Sequence, residues 1–189
     1  MKVIVAVDEK WGIGKKNDLL FSIPLDMKFF REKTSGHVVV MGSNTLKSFP
    51  GGNPLKNRTN IVLYHGGEKR DDCIICDSME EQKEELKKRA NEEIFVVGGA
   101  MFYHTMLPYC DTAYITKVEK DGGAEVFFDN LDKMDNWKLD YTSEKMESNG
   151  LTISFNTYVN TDVKPLLFRR FCYAFTVQYT VLRNTYHDF

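Results

Sequence analysis

Five short apolar runs mark the first half of the chain: Val3 to Val7, Val38 to Met41, Ile61 to Leu63, Ile74 to Ile75 and Ile94 to Val97. Each is bounded by glycine, aspartate, asparagine or charged residues. Unbroken runs of this kind suit strands buried on both faces of a largely parallel sheet. Helical signals lie between them. Pro24 to Lys33 has a proline near its start and Phe29 and Phe30 among charges, and Ser78 to Ala90 opens on a capping serine followed by Glu and Lys at helical spacing. Ala100 to Leu107 follows Gly98-Gly99 and ends at Pro108. This alternation predicts an α/β domain in three layers, helices flanking a mostly parallel central sheet. After Asp111 the segments Ala113 to Val118, Trp137 to Thr142 and Leu151 to Val159 alternate or are β-rich, which predicts an antiparallel C-terminal edge.

Composition narrows the class. A chain of 189 residues, 42% hydrophobic and 28% charged, is one ordinary globular unit rather than a disordered one. A net charge of −2 gives no general attraction to nucleic acid or anionic membranes, so neither is expected as a partner. No apolar run reaches the roughly 18 residues of a membrane span, and Met1-Lys2-Val3 enters a strand-like run with no signal-peptide layout; the expectation is a cytoplasmic protein. Cys73 and Cys76 form a C-x-x-C, but side chains three apart on a strand face opposite ways and no second Cys or His pair follows at zinc spacing. They read as structural, and no metal is expected. Residues 161–189 stand apart: they hold seven aromatics against 17 in the preceding 160, and carry +2 against −4. Phe171, Tyr173, Phe175, Val177, Tyr179 and Val181 alternate, a strand pattern with one greasy face. A domain over 1–160 and an aromatic-rich extension over 161–189 follow.

Asp26, two residues after Pro24, shares a helix face with Phe30 and sits beside Met27. Two readings stay open for it: a solvated first-turn acid favoured by the helix dipole, or a desolvated carboxylate awaiting a donor-rich ligand. Ile94 to Tyr103 runs from a strand through Gly98-Gly99 into a helix, and Val40 to Lys47 repeats the pattern with Gly42, Ser43, Asn44 and Thr45. Either turn alone is explained by backbone needs; together they make an extended phosphate ligand plausible. Trp11 to Leu19 is a glycine-bearing loop suited to a lid, or a plain surface loop. Arg58 before the Ile61 strand offers a fork for a carboxylate, and among the four histidines only His65 suggests a phosphate neighbour.

In order, Ile4 to Asp8 with Gly12-Ile13-Gly14, Ile23 to Arg31, Val40-Met41-Gly42, Pro54 to Asn60, Val96 to Ala100, Leu107-Pro108 and Tyr114-Ile115-Thr116 resemble dihydrofolate reductases over residues 1–160. The resemblance implies reduction of 7,8-dihydrofolate to tetrahydrofolate by NADPH, in support of one-carbon, thymidylate and purine synthesis, and an antifolate target. It places Asp26, Thr116, Leu19 and Phe21 around the reacting ring, with Asp26 bonding the pterin and Thr116 buttressing it. Ile4, Ala6, Met27, Phe30, Phe49 and Leu55 would line the folate pocket, and Arg58 would clamp the glutamate tail. For NADPH it implies Ala6, Ile13, Gly14, Asn17 and Leu19 near the nicotinamide. The phosphates would meet Gly42, Ser43, Asn44, Thr45, Gly98, Gly99, Ala100, Met101, Phe102 and Tyr103, and the adenosine Leu63, Tyr64 and His65.

The chain departs from the family in several places. Phe21 and Leu20 replace a common Trp and Pro. Ser43 and Met101 replace arginines for the 2′-phosphate, a duty open to His65, Lys47 or Lys69. Ala124 to Asp129 replaces the usual Gly-Asp-Thr run, where Glu125 can serve for Asp but Val126 lacks the hydroxyl. A monomer is expected, with packing on an edge strand, self-association and aggregation all open for the tail. Two competitors remain: a reductase of a riboflavin precursor, and a noncatalytic interaction protein with a vestigial pocket.

Overall fold

The computed structural model describes residues 1–15 and 18–166, so the expectations for Asn17, Cys172 and the alternating stretch from Phe171 lie outside the described residues. In chain order the elements are β1 (Lys2–Val7), β2 (Gly12–Lys15), β3 (Asp18–Leu19), α1 (Pro24–Thr34), β4 (Val38–Gly42), α2 (Ser43–Ser48), β5 (Thr59–Leu63) and β6 (Ile74–Cys76). They continue with α3 (Met79–Lys87), β7 (Ile94–Val96), α4 (Ala100–Met106), β8 (Thr112–Val118), β9 (Val126–Phe127), β10 (Trp137–Thr142), β11 (Met146–Ser148) and β12 (Leu151–Asn160).

The main sheet runs β10-β12-β8-β1-β7-β4-β5-β6, with β11 paired to β12. Alternate residues of its apolar strands feed two cores. Val3, Val38, Val40, Ile61, Ile94 and Val96 join one cluster with Phe102, Tyr103 and Met106 of α4 and Leu86 of α3. Ile4, Val39, Met41, Val62, Phe95 and Val97 join the other with Leu46 of α2 and Phe29 and Phe30 of α1. Burial on both faces is why these strands read as unbroken apolar runs, and it gives the three layers expected. The antiparallel edge differs from the sequence reading in one respect: β8 runs parallel to β1, and antiparallel pairing begins with β12, which lies between β8 and β10.

Local chemistry accounts for the element ends. Pro24 opens α1, where a missing N–H costs nothing, and the Ser78 hydroxyl accepts from the Glu81 N–H while a Glu81 carboxylate oxygen accepts from the Asp77 N–H at 2.7 Å. Asn149 and Gly150, both at positive φ, form the tight turn between β11 and β12. From there the Ser148 hydroxyl accepts from the Leu25 N–H and Asn149 donates to the Ser22 carbonyl, fixing the entry to α1. Cys73 and Cys76 fall in the two different cores, so the C-x-x-C does not converge, and burial pushes the Cys76 thiol up to about 11. After β12, the Thr161 N–H donates to the Asn136 carbonyl and the Lys164 N–H to the Pro108 carbonyl, while Leu166 packs on the larger core.

Candidate active site

The carboxyl ends of β1, β4, β5, β7 and β8 meet along one edge of the sheet. Register aligns Ala6 of β1 with Thr116 of β8, and Gly42 of β4 with Leu63 of β5. The Gly42 N–H donates to the Gly98 carbonyl at 2.8 Å, so the two glycine turns expected from the sequence are joined to each other. A Cβ on Gly98, whose φ is +133°, would lie 2.9 Å from the Thr45 hydroxyl oxygen. Glycine is therefore needed there for both backbone and space. Gly42 and Gly99 precede α2 and α4; neither helix start has a side-chain cap or a first-turn acid, so Ser43, Asn44, Thr45, Ala100, Met101 and Phe102 present their opening N–H groups in one place.

Across the same edge, Asp26 in the first turn of α1 is held by a hydrogen bond with Thr116, which is 1% exposed. Burial raises the Asp26 pKa above its ordinary value, and the Thr116 bond opposes that shift. Tyr103 of α4 is buried beside it and donates its hydroxyl to the Ile4 carbonyl at 2.9 Å. Desolvation, then the Asp26 charge, keep that phenol protonated. Of the two readings of Asp26, the desolvated carboxylate is the one in this structure.

Phe30, Phe49 and Leu55 are half-buried against the core cluster that contains Ile4 and Val97. Arg58 lies at the rim of this wall, its guanidinium carbon 5.9 Å from the Phe30 ring centre. Its Nε donates to the Thr34 hydroxyl at 2.8 Å and Nη1 to the Lys56 carbonyl at 2.6 Å, which orients the fork; desolvation and then nearby Arg31 lower its pKa. Met27 stays exposed.

The loop expected as a lid contributes β2 and β3 to a small separate sheet, β3-β2-β9, in which Gly12 pairs with Phe127 and Gly14 with Val126. Glu125 meets the lid through its backbone, its N–H donating to the Gly14 carbonyl at 3.0 Å, so this link does not require the missing hydroxyl at Val126. Ile13 is half-buried, Leu19 is 69% exposed, and Phe21 packs in a satellite cluster with Ile23, Val118 and Ile153. After the carboxyl end of β5, where the resemblance would place the adenosine, Tyr64 is half-buried, its ring 4.6 Å from the Lys47 ammonium. His65 faces Asp77, and Lys69 pairs with Glu81.

The sequence reading missed three contacts because they join distant residues: Tyr103 to Ile4, the Asp8 carboxylate to the Gly122 N–H, and His104 of α4 to Asp129 at 3.0 Å. Of these, only the buried acid Asp8, beside a glycine-rich loop, left a trace in the sequence.

The family model for dihydrofolate reductase matches residues 1–160. The chain belongs to the dihydrofolate reductase family. It is 36% identical over 137 residues to the dihydrofolate reductase of Bacillus subtilis, covering 72% of this chain and 79% of that protein. A bifunctional dihydrofolate reductase-thymidylate synthase of Glycine max is 32% identical over 84% of this chain and 33% of its own length. Among solved structures, dihydrofolate reductase from Enterococcus faecalis, complexed with NADP(H) and RAB-propyl, superimposes with a TM-score of 0.73 at 30% identity, over 85% of this chain and 96% of that one. Within the dihydrofolate reductase family this chain carries a half-buried Ser43 and a 79% exposed Met101 at the two helix starts. Among the described residues no helix is long and apolar enough to cross a membrane.

Proposed function

We propose that this chain reduces 7,8-dihydrofolate to 5,6,7,8-tetrahydrofolate with NADPH. The observation that carries the reading is the desolvated Asp26, bonded to Thr116 across the cleft from the joined glycine turns. Those turns fit a dinucleotide pyrophosphate: two uncapped, acid-free helix starts meet, and a side chain at Gly98 would collide with Thr45. Gly42 to Thr45 and Gly98 to Tyr103 would hold the phosphates, Leu63 and Tyr64 the adenosine, and Ala6, Ile13, Gly14 and Leu19 the nicotinamide. Lys47, which lies over Tyr64 rather than against an acid, is the favoured cation for the 2′-phosphate.

When bound, NADPH supplies a hydride from nicotinamide C4 to pterin C6. The chain's residues do the rest. Asp26 accepts hydrogen bonds from the pterin ring N–H and 2-amino group, which restores the solvation its carboxylate gave up. A proton reaches N5 from water, and the negative charge on Asp26 favours its arrival, so the C6=N5 bond becomes C6–H and N5–H. Thr116 keeps Asp26 in register. Phe30, Phe49 and Leu55 flank the aromatic ring of the substrate, and the remaining donors of Arg58 take the glutamate carboxylate. The lid closes over the nicotinamide and excludes water.

Absorbance at 340 nm tests this directly. Dihydrofolate-dependent loss of NADPH absorbance, blocked by an antifolate diaminopyrimidine, is the expected result. Folded protein that oxidises NADPH with neither dihydrofolate nor inhibitor response would refute it, and the NADPH to NADH rate ratio measures how well Lys47 replaces the absent arginines.

A further inference from the structure

We infer that Asp8 is the positioning residue of the lid: its carboxylate fastens the lid's root to the β8–β9 connection and so sets where the lid sheet sits over the cleft. This rests on the reading of residues 11–19 as the lid of the reductase.

Asp8 follows β1 directly and is 3% exposed. One oxygen accepts from the Lys10 N–H at 2.8 Å and the Gly12 N–H at 2.7 Å. The other reaches across the chain to the Gly122 N–H at 3.1 Å. Closing the turn from Asp8 to Gly12 needs only the first oxygen, a task a neutral Asn or Ser side chain performs in many turns. The second oxygen is what the turn does not need, and a buried charge is retained only where its donors hold it.

Both ends of the lid converge on that second bond. At the root, a Cβ on Gly12 would lie 2.2 Å from the Ala124 Cβ and 2.9 Å from each Asp8 oxygen. At the far end, a Cβ on Gly122 would meet Phe21 at 2.9 Å and Leu20 at 3.0 Å. Lys10 also pairs with Asp121 at 2.6 Å. Beyond this node the lid's own strand pairing runs through Glu125 to Gly14 and through Phe128 to Trp11. One carboxylate therefore joins the start of the lid to the segment leading into its third strand, at the glycine that Leu20 and Phe21 of the lid's return crowd, while Ala6 lies two residues before it on β1.

The test compares wild type with Asp8→Asn, whose amide offers one acceptor and turns a donor toward an N–H. Hydrogen bonds to charged groups are worth enough for kcat of dihydrofolate reduction to fall about tenfold or more, with the KM for dihydrofolate changing less than about threefold. The amides of Gly12 and Gly14 should exchange about tenfold faster in the variant, while those of β4 and β7 keep their wild-type protection. A purely structural role would lower the melting temperature and leave kcat of the folded protein unchanged. Folded Asp8→Asn with wild-type kcat and wild-type lid exchange overturns the proposal. Asp8→Ser, which keeps an uncharged acceptor, is used if Asp8→Asn does not fold, and failure of both to fold overturns it too. If wild type shows no dihydrofolate-dependent oxidation, the reductase reading fails, while the exchange measurement still decides whether Asp8 holds the lid sheet.

Discussion

Asp26 is the residue where stability and chemistry pull apart. Burial raises its pKa, so the folded state is penalised for carrying the charge that the proposed pterin contact needs. The penalty is absent below the unfolded pKa near 3.8, where both states are protonated, and complete above the folded value. Asp26→Asn should therefore melt higher than wild type at pH 7, with the gap closing as pH falls toward 3.8, and lose turnover by on the order of 100-fold or more. Melting curves across pH and steady-state rates check both halves; a gap that widened on acidification would contradict the sign. Arg58 separates binding from chemistry instead. Because it lies at the rim with two donors already oriented by Thr34 and Lys56, Arg58→Met should raise the KM for dihydrofolate by roughly tenfold or more with kcat nearly unchanged. Initial-rate kinetics with dihydrofolate measures it, and a fall in kcat alone would remove Arg58 from the tail site. Both residues were singled out from the sequence because each stands within a short ordered motif. The Tyr103 hydroxyl was not, since its partner Ile4 is 99 positions away and only sheet order brings them together.

Among the elements, the buried strands were readable as unbroken apolar runs because both of their faces are covered, and α1, α3 and α4 from their opening residues and helical spacing. The lid strands β2, β3 and β9 span two to four residues each and carry glycine and lysine, an exposed Asp-Leu pair or an exposed Val-Phe pair, too few positions for any period to show. They are strands only because they find each other, so their existence is tertiary information. The helix expected to Ala90 ends at Lys87, where Arg89 and Ala90 N–H groups bond three residues back in a tighter turn. The joined turns give this scale its own prediction. Gly98→Ala sets a Cβ 2.9 Å from the Thr45 oxygen on a backbone at φ +133°, which costs on the order of 1–3 kcal/mol. Melting should fall, and the dissociation constant for NADPH, followed by quenching of tryptophan fluorescence, should rise further than stability loss explains, because the Gly42 to Gly98 bond moves with it. Unchanged NADPH affinity would separate the turn from the cofactor.

For the molecule as a whole, the division of labour is spatial: site residues gather at one edge of the sheet, while stability resides in the two cores above and below it. Gln82 tests that separation. It lies on the inner face of α3, is 0% exposed, and neither its amide nitrogen nor its amide oxygen has a partner among the described residues. Sequence patterning gave no hint of this, since glutamine among Glu and Lys on a helix reads as a solvated position. An unpaired buried amide costs about 1–3 kcal/mol, and methionine has similar length, no polar N–H or C=O group and a pliable chain. Gln82→Met should therefore raise the melting temperature by roughly 2–8 °C for a protein of this size. None of the site residues lies on α3, so kcat and both KM values should stay within about twofold of wild type, in contrast to Asp26→Asn, where added stability accompanies lost turnover. Calorimetry and initial rates on the same preparation decide it. A lower melting temperature would mean that the amide is satisfied in solution, and a changed kcat would mean that packing under α3 reaches the cleft through α4, whose Tyr103 and Phe102 share its core.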